Sequence, residues 1–79
     1  MEKFKVTRYE KDKDGNITGK YVMFSGNYKK ATEWLFKFKK ILFFQHYTDI
    51  SVFEDTDDEL VYETSSGSFE YKVENIEDK

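Results

Sequence analysis

The sequence predicts an α+β fold: a single five-stranded, mostly antiparallel sheet in the element order ββαβββ, with one helix packed on one face. Three observations predict it. Side chains alternate at strand period through the first 25 residues, interrupted by Asp14-Gly15. Apolar residues then recur at steps of three and four between Tyr28 and Phe44, the spacing of a helix. Beyond Asp49 come three short runs rich in strand-forming residues, separated by polar turns.

From Lys3 to Lys11, Phe4, Val6 and Arg8 fall on one side of a strand and Lys5, Thr7 and Tyr9 on the other. Asp14-Gly15 accepts the positive φ of a two-residue hairpin turn. Ile17 to Ser25 resumes the alternation, with Ile17, Gly19, Tyr21 and Met23 opposed to Thr18, Lys20, Val22 and Phe24. Ser25-Gly26-Asn27 breaks the pattern, and Asn27 or Ser25 can cap a helix start. The predicted helix runs from Tyr28 to about Phe44. Its stripe is Tyr28, Ala31, Leu35, Phe38 and Leu42, with Trp34 and Ile41 on one flank and Phe36 and Phe43 on the other. Lys29, Lys30, Glu33, Lys37 and Lys40 form the polar face. The apolar arc is wider than one sheet face requires, so either the sheet curls around the helix or part of the arc meets another molecule.

Gln45 to Asp49 is the expected connection to strands over Ile50–Asp55, Leu60–Thr64 and Ser68–Asn75. In the last of these, Phe69, Tyr71 and Val73 oppose Glu70, Lys72 and Glu74, the signature of one dry and one wet side. The tail from Ile76 to Lys79 is expected to fray. In element order and length the chain resembles β-grasp domains. The resemblance implies an arrangement only, because no motif of that family is present. A purely antiparallel sheet satisfies the same element order.

At 79 residues the chain is one domain with a thin stability margin. Cysteine is absent, which excludes disulfides, and His46 is the only soft metal ligand, which argues against structural zinc. Fifteen aromatic side chains are left to supply the core. The N-terminus has no apolar leader, and the longest apolar run, Ile41 to Phe44, is far short of the ~20 residues of a membrane span. The expected location is the cytoplasm, without membrane contact. Charge is polarised: residues 1–48 carry eleven Lys/Arg against five Asp/Glu, and residues 49–79 two against eleven. Such halves attract one another within a fold or across a dimer. Abundant Lys, Phe, Tyr, Asn and Asp with no proline matches an AT-rich genome, such as that of a low-GC bacterium or its phage.

Motifs for chemistry are weak. Glu10 to Ile17 resembles the front of a calcium loop, but the position that should supply a bidentate carboxylate is Tyr21, and a hairpin turn accounts for the residues. Ser25 to Lys30 offers a glycine and two lysines at a helix start, without the spacing of a phosphate-binding loop. His46 lies in an aromatic segment suited to packing or capping, and no nucleophile is paired with it. The expectation is therefore a non-enzymatic domain without cofactor or metal. Lys and Arg interleave with aromatics along the hairpin, and Arg8, Tyr9, Lys20 and Tyr21 are candidates for a single-stranded nucleic-acid platform. Overall acidity and a single arginine weigh against it. The favoured expectation is a partner protein, or a second copy of the chain, bound through Trp34, Phe36, Phe43 and Phe44 together with Asp55, Asp57, Asp58 and Glu59. A small phage- or mobile-element-encoded inhibitor or accessory protein fits this composition. Its acidic run would occupy the basic groove of a nucleic-acid-handling or defence enzyme of the host.

Overall fold

The computed structural model describes residues 3–46 and 49–76. Its elements are β1 (Phe4–Lys11), β2 (Ile17–Gly26), α1 (Tyr28–His46), β3 (Ser51–Asp55), β4 (Glu59–Thr64) and β5 (Gly67–Asn75). The helix continues two residues past the expected end, and each strand boundary lies within a residue of its predicted place. The expectations for the tail beyond Ile76 and for the His46 side chain fall outside the described residues.

The five strands form one sheet in the order β2-β1-β5-β4-β3. Every neighbouring pair is antiparallel, so the purely antiparallel arrangement forms and not the β-grasp one. Parity explains this. The helix carries the chain back along the sheet, so β3 runs in the direction of β2. Two tight turns then give β5 that direction too, and β5 meets the central strand β1 antiparallel.

Asn27 starts the helix as its sequence suggests: the side-chain Oδ1 accepts from the Lys30 amide at 2.8 Å. The first hairpin differs from expectation. Its turn is not a two-residue one: the Gly15 amide donates to the Asp12 carbonyl and the Asp12 amide to the Asn16 carbonyl, which leaves Lys13, Asp14 and Gly15 as a three-residue loop. Gly15 takes the positive φ, at 86°. The Asp12 carboxylate accepts the amides of Asp14 at 2.9 Å and Asn16 at 3.0 Å. These bonds, with Asn16 the largest contributor, hold its carboxyl below the ordinary 3.8. The stability Asp12 gives the hairpin is therefore full above the ordinary value and lost as pH falls through the lowered one. Asp12→Ala should be less stable than the parent protein at neutral pH, with the gap closing on acidification. Urea midpoints of the two proteins between pH 7 and pH 2 check this, and a gap independent of pH would contradict it.

The core lies between α1 and one sheet face. Val6, Ala31, Leu35, Leu42, Leu60, Tyr62 and Tyr71 are buried, with Phe4, Phe24, Trp34, Phe38, Phe43, Ile50, Phe69 and Val73 packed around them. Ring stacking orders this layer: Phe38 and Tyr71 lie 4.4 Å apart, and Trp34 stacks on Phe38 at 5.6 Å. In β2 the predicted alternation changes phase. A bulge at Met23 places Phe24 opposite Val6 while Val22 stands opposite Thr7, so Phe24 joins Tyr21 on the helix side. A bulge at Phe53 does the same in β3.

The helix packs mainly across β1, β2 and β5. Leu60 and Tyr62 bring β4 into the core, but all five side chains of β3 are exposed. One edge of the sheet therefore extends past the helix. No helix among the described residues is long and apolar enough to cross a membrane.

Candidate protein-binding groove

The overhang of β3 leaves a groove between its turn into β4 and the near flank of α1. Two adjoining hollows make it up. One, of about 260 Å³, is lined by Tyr28, Thr32, Glu33, Phe36, Lys39 and Asp57. The other, of about 240 Å³, is lined by Phe36, Lys39, Lys40, Phe43, Asp55, Thr56 and Asp57. Phe36, Lys39 and Asp57 belong to both. Helical spacing explains the inner wall: Phe36 and Phe43 are seven residues apart and share a flank.

Lys39 holds the two sides together. It is nearly buried, pairs with the Asp55 carboxylate at 2.7 Å, and donates to the Thr56 carbonyl. The turn is closed further by the Thr56 amide on the Glu59 carbonyl and the Thr56 hydroxyl on the Asp58 carboxylate. The ammonium of Lys40 sits 4.7 Å above the Phe36 ring.

The sequence candidates divide as follows. Phe36, Phe43, Asp55 and Asp57 come together in this groove. Phe44, 86% exposed, stands on the outer surface of the helix, and Phe36 is 58% exposed. Trp34 does not join them: it lies on the opposite flank against Phe24, Phe38 and Tyr71, and serves the core. Asp58 stays on the turn. Glu59 turns to the helix-free face, opposite Lys72. There it shares a hydrogen bond with Glu70, which with burial raises its carboxyl above the ordinary 4.5. Burial opposes the charge of Glu70, yet hydrogen bonds with Glu59 and Lys11 outweigh it and leave that carboxyl lowered.

One contributor, Lys39, was missed in the sequence. Lys39 lies four residues after Leu35 and three before Leu42, so the stripe spacing carried a signal that its charge masked. Val52 and Phe53, the latter 62% exposed, add apolar surface on β3. Nothing in the sequence marks the bulge that turns them.

The nucleic-acid candidates are split by the pleat. Arg8 stands opposite Tyr21 on the helix side, while Tyr9 stands opposite Lys20 on the other face. Arg8 is held between the rings of Tyr21 and Phe69 and pairs with Glu10. The Tyr9 hydroxyl donates to Glu74 at 2.7 Å, and this bond, with burial and the negative charges of Glu74 and Glu70, pushes its pKa up to about 12. The four side chains form no common platform.

The charge halves meet only in part. Lys11 pairs with Glu70 and Lys39 with Asp55, but the sheet order puts Lys20 of β2 and the acidic β3 on opposite edges. Among the described residues, no group of three His, Cys, Asp or Glu side chains is placed to hold a metal ion. No protein-family model, curated protein or solved structure matches the chain.

Proposed function

We propose that the chain is a non-catalytic protein-binding domain, a small inhibitor or accessory protein, that docks a partner along the groove between α1 and β3. One observation carries this reading: Phe36 remains 58% exposed in a groove with an acidic lip, although the domain has a complete core without it. Large apolar side chains rimmed by charge are the anatomy of a binding surface.

The reading predicts that binding and stability separate. Phe36→Ala should cost partner binding about 2 kcal/mol or more, the scale of an interface anchor. The same change should alter unfolding by about 0.5 kcal/mol or less, as for other exposed positions. Pull-down from host lysate identifies a partner, and titration of parent and variant against that purified partner measures the difference. Equal affinities for Phe36→Ala and the parent protein would remove the groove as the binding site.

A further inference from the structure

The shape and charge of the groove specify what kind of partner it takes, on the reading that it binds protein. Each hollow is smaller than the roughly 300–1,000 Å³ of a small-molecule pocket. Each suits one or two side chains from a partner's surface. The walls differ in character. Tyr28, Phe36 and Phe43 supply rings on the helix wall, beside Glu33, Lys39 and Lys40, and the opposite lip supplies Asp55 and Asp57.

One of those carboxylates is not neutralised by the chain itself. Between Lys40 and Lys72 the sequence contains eight Asp/Glu and no Lys or Arg. Asp55 is taken by Lys39. Asp57, which faces both hollows, is exposed and has no cationic partner among the described residues, and neither has Asp58 on the turn. The inner wall meanwhile already holds one cation in the required manner: Lys40 over the Phe36 ring. A long basic side chain combines both features, an apolar stem and a charged head.

We infer that the groove takes a basic, apolar segment of a partner protein, whose Lys or Arg stems lie on Phe36 and Phe43 and whose charges reach Asp57. The unspent charge of the lip steers such a segment toward the groove and repels an acidic one.

Three synthetic peptides test this. All carry the same alternating Leu and Phe positions, and the positions between are Arg, Gln or Glu. Each is titrated into isotopically labelled protein while amide signals are followed. The Arg peptide should shift the signals of Phe36, Lys39, Phe43 and Asp57, and bind more weakly as salt rises. Asp57→Asn should weaken it about two- to five-fold, the scale of an exposed ion pair. Asp57→Lys should weaken it further, both variants melting with the parent protein. If the Gln and Glu peptides bind the groove equally well, the groove is a protein-binding site and the basic partner is wrong. If no peptide shifts the groove, both readings fall. If groove signals move with protein concentration alone, a second copy is the occupant, and the basic partner is overturned.

Discussion

Leu35→Ala should lower the unfolding free energy by about 2–5 kcal/mol, the range for deleting a large buried aliphatic side chain. Leu35 is fully buried in the middle of α1, clustered with Val6, Ala31, Leu42, Leu60, Tyr62 and Tyr71. That cluster draws on the helix and on β1, β4 and β5, so the cavity that Leu35 leaves has few routes to collapse. Small domains hold only about 5–15 kcal/mol in total, so the loss is a large share of the whole. Urea unfolding of the variant measures it. A loss below about 1 kcal/mol would mean that the core face of the helix lies elsewhere.

Gly67→Ala should cost about 2–4 kcal/mol, from backbone strain plus steric overlap. Gly67 begins β5 with φ at 146°, a conformation that side chains disfavour, and a Cβ there would stand 2.5 Å from the Lys11 carbonyl oxygen. That oxygen belongs to the end of β1, so relief requires prising apart the β1–β5 ladder. Gly15 provides the contrast. Its φ is also positive, but a Cβ there meets nothing within 4 Å. Gly15→Ala should therefore cost only the backbone part, about 1 kcal/mol. Denaturation of the two variants side by side separates the effects, and equal losses would show that the close approach to Lys11 carries no cost.

Gly67 also illustrates how far the sequence could be read. Ser65-Ser66-Gly67 marks a turn by composition alone, and β4 and β5 do pair across it. That the glycine also admits the end of β1 follows from which strand lies beside β5, and local composition carries no such information. The groove has the same mixed origin. Phe36 and Phe43 share a flank by spacing, as the sequence predicts. Asp55 and Asp57 join them because Lys39 ties their turn to the helix. Trp34 was misread because the two flanks of a helix look alike until one of them is covered, here by Phe24 and Tyr71.

The sequence by itself determined the element order, the helix stripe with Leu35 at its centre, and the dry and wet sides of β5. These follow from periods of 3.6 and 2, which are properties of neighbours along the chain. Only the tertiary structure decided the strand order, the fate of each carboxylate and the existence of the groove. Strand pairing sets where a bulge inserts its extra residue, and one extra residue turns every later side chain to the opposite face. At Met23 that shift brought Phe24 into the core, and at Phe53 it placed Glu54 and Asp55 on opposite faces of β3. The sheet is also wider than one helix can cover, which leaves β3 without a layer above it and Asp57 facing an open groove.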